Sequence, residues 1–319
     1  MMHETPPAQF GQHLVAAKSQ AMDGFMQNKS LPAVFEHLTR RLAGNAWVHN
    51  GVAAVNRIPF PFLQRPVSRG NQRLAAHTFD RYIALWLWKL GLLESLELQL
   101  LAEICKPGMV AVDIGANVGY HALWIAQHVG IDGAVWAFEP EPGNYKALMR
   151  NIRLNHLSNI FPVQKAIGAK SGSNWLYVSK SHNGNHSICQ PLFNNRHLIP
   201  IDMATLDDFF PPSQRIDLIK MDIEGAEGLA LAGMQRCLAE NPELTVFFEF
   251  SPSNLSRTGF APAAVLAGLK DVGFHLALID EDRKRLTTIE DVSSFAASTP
   301  HSSHVNLLAT KAALPAQLT

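Results

Sequence analysis

The chain has 319 residues, 47% of them hydrophobic and 17% charged, with Lys plus Arg and Asp plus Glu both at 27. That is enough apolar chain to bury a full core and a second small unit, and the zero formal charge argues against a general nucleic-acid-binding surface. Three cysteines, Cys105, Cys189 and Cys237, stand far apart with no C-x-x-C pair; neither a zinc ribbon nor a disulfide framework is indicated, and a reducing, cytoplasmic setting is expected.

Residues 1 to about 75 read as a helical N-terminal extension. Short helical patterns such as Leu31 to Leu42 precede Ile58-Pro-Phe-Pro-Phe-Leu-Gln-Arg-Pro66, whose prolines should hold the chain extended. No basic region followed by an apolar stretch opens the chain, so no signal peptide is read. The extension is expected to cap an acceptor site or dock a partner; its apolar stripes would serve either to pair two chains as a homodimer or to cover their own domain. The most apolar stretch, Tyr82 to Cys105, is interrupted by Lys89, Glu94, Glu97 and Glu103. It fails as a membrane span and reads as amphipathic helix. Within it Trp86 and Trp88 alternate, cannot share one helical face, and read as packing residues.

From residue 76 to 319 the pattern is that of a second, larger domain. Apolar runs of strand length alternate with helical patterns from Met109 onward, the signature of βα units and an α/β, mainly parallel sheet with helices on both faces. The expected strands are Val110–Ile114, Ala134–Phe138, Phe161–Ala166, Leu218–Met221, Thr245–Phe250, His275–Ile279 and Val305–Ala309. The expected helices are Tyr120–His128, Asn144–Asn155, Gly228–Glu240 and Ala261–Asp271. Between the third and fourth strands lies a turn-rich insertion containing the alternating Trp175-Leu-Tyr-Val178 and a stretch rich in Asn, His and Gly. It is expected at the ligand-binding lip, in contact with an acceptor.

The most informative segment is the first of these strands with its turn, Val110-Ala-Val-Asp-Ile-Gly-Ala-Asn-Val-Gly-Tyr120. Gly115 and Gly119 lack a Cβ, so the backbone can turn sharply and approach a ligand. Asp113 falls at the C-terminal lip of the strand, where open parallel sheets bind ligands. The spacing departs from the G-x-G-x-x-G that seats a pyrophosphate: Asn117 stands where the second glycine would be, and the preceding acid repels phosphate but suits an ammonium. S-adenosylmethionine carries an ammonium and a sulfonium and no phosphate. The next strand ends in Glu139, 20 residues after Gly119, placed to accept the ribose hydroxyl protons. The readings that compete are a dehydrogenase using NAD on the same sheet, which the missing fingerprint disfavours, and a catalytically silent module that docks a protein partner.

The segments VDIGANVGYHALWIA, AFEPEPGNYKALMRNIRLN, TLDDFF and DLIKMDIEGAE, in that order, resemble the FkbM family of class I methyltransferases. The resemblance implies a Rossmann-like class I methyltransferase fold with a seven-stranded sheet whose last strand is antiparallel. It implies S-adenosyl-L-methionine as cofactor and a hydroxyl oxygen of a saccharide or other secondary metabolite as acceptor. The cofactor contacts are then Asp113, Gly115, Ala116, Asn117, Gly119 and Glu139, with Ala166 and Ile167, at the end of the third strand, carried over as adenine contacts.

Methyl transfer from a sulfonium is an in-line displacement that depends on holding the acceptor near the methyl carbon, and a hydroxyl acceptor must also lose a proton to a positioned base. In Lys220-Met-Asp-Ile-Glu-Gly-Ala-Glu227, Asp222 is the first candidate for base or acceptor-binding carboxylate and Glu224 the second. Glu227 is the most readily explained as structural, since acids at helix N-termini commonly cap them. His182 and His186 are four apart, but Gly184 and the asparagines favour a turn over a zinc-binding helix; His186 is kept as a possible base in acceptor contact. Asp222 with Glu249 could hold Mg²⁺, but nothing else in the spacing asks for a metal, and none is assigned.

Overall fold

The computed structural model describes residues 66–69, 71–76, 96–179, 186–189 and 196–313. The expected helix at Leu31–Leu42, the proline-rich segment up to Arg65, Trp86, Trp88 and His182 lie outside them. Contacts cluster the chain into two compact units, residues 1–93 with 179–184, and residues 94–178 with 185–319. In the first, β1 (Val67–Arg69) and β2 (Gln72–Leu74) form an antiparallel hairpin in which Val67 faces Leu74.

The second unit opens with α1 (Leu96–Ile104), the described part of the expected amphipathic helix. β3 (Val110–Ile114), α2 (Tyr120–Val129), β4 (Ala134–Phe138), α3 (Pro142–Leu154) and β5 (Ile160–Val163) follow as successive βα units. After an excursion through β6 (Ala166–Ile167), β7 (Gly172–Ser179), β8 (Arg196–Ala204) and α4 (Leu206–Phe209), the chain returns as β9 (Leu218–Met221). The remainder comprises α5 (Glu227–Ala232), α6 (Gln235–Glu240), β10 (Thr245–Phe250), α7 (Pro252–Arg257), α8 (Pro262–Asp271), β11 (His275–Asp280), β12 (Arg285–Thr288), α9 (Val292–Ser298) and β13 (Val305–Thr310).

All seven expected strands join one sheet of order β12-β11-β13-β10-β9-β3-β4-β5. β3, β4, β5, β9 and β10 run parallel, and β13 is antiparallel to both β10 and β11. Strand order reverses between β3 and β9, so a crevice for a ligand opens at their carboxyl ends. Four differences from the sequence reading stand out. An eighth strand, β12, pairs back onto β11 as a hairpin. The third strand stops at Val163, and Ala166–Ile167 leaves it to pair with β8 in a separate sheet of order β6-β8-β7. The expected turn-rich insertion thus contributes two long strands, β7 and β8. Finally, the single helix expected over Gly228–Glu240 is broken at Gly233, which lies so close to the backbone carbonyl of Gly168 that a Cβ could not fit.

The period-two alternation of the strands sorts the two faces of the sheet. Val112, Ile114, Ile219, Met221, Val246 and Phe248 fall on the face that forms the main apolar core with Leu231, Leu238 and Leu266. Asp113, Lys220 and Phe247, which are cross-strand partners, fall on the other. The site is built at the carboxyl end of that second face.

Candidate active site

Asp113 ends β3 and is almost fully buried. One side of its carboxylate is tied down by the backbone N–H of Ala122 in the first turn of α2, while Oδ2 is buried without any partner among the described residues. Burial pushes its pKa up to about 7; Lys220 and the Ala122 N–H pull it down, whereas Asp222 and Glu97 push it up. A buried acid with one idle oxygen is a group waiting for a donor, because an unsatisfied buried acceptor loses its hydration without compensation.

The loop after β3 hangs from the end of β4. Gly115 and Ala116 both donate to the Phe138 carbonyl at 2.9 Å, and Asn117 donates its N–H to Glu139 Oε2 at 2.8 Å. Asn117 is left-handed, with φ 52°, a conformation that asparagine tolerates better than most residues. The glycines answer to protein neighbours as well as to any ligand. A Cβ on Gly115 would collide with the Asp222 carbonyl, and one on Gly119 would press on the side chains of Leu148 and Leu123 at 2.7 and 2.8 Å. The tight turn is therefore also what lets β9 and α3 pack against it.

Glu139 is buried at the end of β4. It takes N–H groups from Asn117 on Oε2 and from Glu141 on Oε1, the latter at 2.9 Å. Burial again raises its pKa to about 7, against those N–H groups and a hydrogen bond with the Asn144 side chain. A carboxylate offers about four acceptor positions, so each oxygen retains capacity on its open side. Asn144 is itself buried, and its Oδ1 has no partner among the described residues. α3 begins two residues earlier than the pattern suggested because Pro142 occupies its first turn and Glu141 caps Asn144 N–H at 2.6 Å.

Ala166 and Ile167 are buried in β6, with Ile167 in the main core and Ala166 in the apolar cluster of the smaller sheet with Leu176, Val178 and Ile201. They sit beyond the end of the third strand rather than on it.

On the other side of the glycine loop, Asp222 follows β9 and donates its N–H to the Ile114 carbonyl at 3.0 Å, while its side chain is exposed. Glu224 is left-handed at φ 52° and half-buried. Glu227 is buried and accepts the N–H groups of Ile223 and Gly225 at 3.2 and 3.3 Å. Burial raises its pKa to about 7, with Glu249 and Asp222 adding to the rise. Its carboxylate holds this loop in shape, in keeping with a structural role. The insertion also reaches here: Ser187 Oγ donates to the Glu224 carbonyl at 2.9 Å and Cys189 Sγ to the Gly225 carbonyl at 3.5 Å. His186, half-buried, is thereby brought next to the loop that carries Asp222 and Glu224. Glu249 instead faces His304, whose Nδ1 lies 3.1 Å away. Among the described residues no three His, Cys, Asp or Glu side chains gather as a metal site would require.

Sequence reasoning missed four residues here, Lys220, Glu97, His121 and Asn306. Lys220, in the middle of apolar β9, is almost fully buried and pairs with Glu97 of α1 at 3.2 Å. His121 of α2 lies 3.6 Å from the same Glu97 oxygen, and Asn306 of β13 donates to the other at 3.1 Å. Burial alone would lower the pKa of Lys220, but Glu97, Asp222 and Asp113 outweigh it and hold the ammonium above the usual lysine value. Burial and Lys220 lower that of His121, against Glu97 and Asp222. A signal existed: a lone charge inside a short apolar strand is rarely buried without a partner.

The "Methyltransferase FkbM domain" family matches residues 113–276, just over half of the chain. "Methyltransferase 1" of Beauveria bassiana is 29% identical over 144 residues, 39% of this chain and 57% of that protein. "Methyltransferase sdnD" of Sordaria araneosa is 28% identical over 196 residues, 52% of this chain and 73% of that protein. The chain thus spans little more than half the length of the first of these relatives. A solved SAM-dependent methyltransferase from Aquifex aeolicus is 14% identical, the likeness covering 67% of this chain and 88% of that one at a TM-score of 0.37. The family match, its residues coinciding with the glycine loop, both strand-end acids and the β9 loop, decides the assignment: the chain belongs to the FkbM family of S-adenosylmethionine-dependent methyltransferases.

Proposed function

We propose that this chain transfers the methyl group of S-adenosyl-L-methionine to a hydroxyl oxygen of a small-molecule acceptor, a saccharide or another secondary metabolite. The observation that carries the reading is the idle, buried Oδ2 of Asp113, set beside Glu139 on one flank and the exposed Asp222 on the other. Bound there, the cofactor supplies an electrophilic methyl carbon on a sulfonium. Asp113 accepts from the ammonium, and Glu139 accepts from the ribose hydroxyls. Gly115, Ala116, Asn117 and Gly119 form the floor beneath them, and Ala166 and Ile167 border the adenine.

The surplus of carboxylates along this lip suits a ligand of net positive charge. Asp222, exposed at the end of β9, takes the acceptor's proton while holding its oxygen in line, with Glu224 and His186 as the neighbouring groups able to share that task. No part is assigned to metal or nucleic acid. The test is a screen of the full chain with isotopically labelled S-adenosylmethionine against saccharides and hydroxylated metabolites. Label on a hydroxyl oxygen supports the reading; label only on nitrogen or carbon contradicts it.

A further inference from the structure

The Glu97–Lys220 pair does not belong to any step above, and Glu97 lies on α1, outside the family-matched residues. Its placement is specific. Lys220 is the cross-strand neighbour of Asp113, two residues before Asp222 on the same strand alternation, and it is the buried cation among the described residues of this face. Glu97 is held in turn by Asn306 from β13, while the N–H groups of Leu96 and Glu97 are received by Glu281 at 2.9 and 3.2 Å. A merely structural pair needs no such location, since apolar residues would fill the space as well or better.

We propose that Glu97 and Lys220 are positioning residues of the cofactor site: Glu97 of α1 anchors the Lys220 ammonium beside Asp113, its cross-strand neighbour at the ligand-binding lip. The proposal rests on the reading of Asp113 as the group that meets the cofactor's ammonium. The charged groups facing Asp113 are Lys220 and Asp222 from β9 and its loop and Glu97 from α1, while His121 of α2 faces the pair. Lys220 favours the ionised Asp113 and Glu97 opposes it, with Lys220 the stronger of the two. The two members therefore act on Asp113 in opposite directions.

The test follows the Asp113 carboxyl carbon by NMR in the selectively labelled full chain without cofactor, assigned by its loss in Asp113→Asn. In parallel, S-adenosylhomocysteine affinity is measured from pH 5.5 to 8.5. In Lys220→Met the titration midpoint and the acid limb of binding should move up by roughly one pH unit; in Glu97→Gln they should move down by a smaller amount. Should either single variant fail to fold, Lys220→Met with Glu97→Gln removes both members of the pair together, and its midpoint should still lie above that of the parent. Shifts in the same direction, or lowered stability with the Asp113 midpoint unmoved, would overturn the proposal. A parent chain that does not bind S-adenosylhomocysteine would instead refute the cofactor reading, and the NMR titration would still report on the pair.

Discussion

The two halves of the ligand-binding lip are built differently. On the β3–β4 half the acids are buried and tied to backbone N–H groups: Asp113 to Ala122, Glu139 to Asn117 and Glu141. On the β9 half, Asp222 is exposed and Glu224, left-handed, is half-buried, their loop braced by a buried Glu227 and by Ser187 from the insertion. Fixed, desolvated acids suit a ligand that never changes. Acids left open to solvent suit the proposed acceptor, whose proton one of them must take.

That contrast breaks most clearly at Asp113. Asp113→Ala should remove detectable cofactor binding, a loss of more than roughly a hundredfold for a desolvated charged contact, with the fold retained by circular dichroism. Unchanged affinity would place the cofactor elsewhere. On the open half, Asp222→Asn should leave S-adenosylhomocysteine affinity nearly intact and lower kcat at least about tenfold, the scale of a lost general base. A variant with full turnover would move the base to Glu224 or His186.

The pH dependence sharpens the same division. Asp113 is protonated below about 7, and an ammonium ligand needs the carboxylate, so affinity should fall as pH drops through that value. The slope approaches about tenfold per pH unit for one linked proton, and Asp113→Asn should flatten it. The sign is opposite for the fold without cofactor. Because the folded state holds this proton more tightly than the unfolded chain, Asp113 contributes stability that is present below its usual carboxylate pKa and lost as pH rises toward 7. The smallest effect belongs to Glu227. Glu227→Gln keeps an acceptor for Ile223 and Gly225 and should alter turnover less than about threefold, whereas Glu227→Leu strands both N–H groups at about 1–3 kcal/mol of stability.

The β3–β4 half was legible in the sequence as structure because its signals are local. A strand, an acid, a glycine turn and a second strand-end acid follow one another within 30 residues, and the strand bounds Val110–Ile114 and Ala134–Phe138 agree with the structure. What escaped depends on long-range contact. β8 pairs with β6 some 35 residues earlier, and nothing near Gly233 announces that Gly168 will press against it. Asparagine and histidine between β7 and β8 suggested turns, while tertiary pairing made strands of the flanks. Lys220 and Glu97 lie more than 120 residues apart, and Glu97 read only as an interruption of an apolar helix until folding set it against a buried ammonium.

The most direct test of the central claim is isothermal titration of the full chain with S-adenosylhomocysteine, with NAD⁺ as a parallel control. The account predicts micromolar binding of S-adenosylhomocysteine alone, lost in Asp113→Ala. Binding of NAD⁺ instead, or of neither ligand, would contradict it.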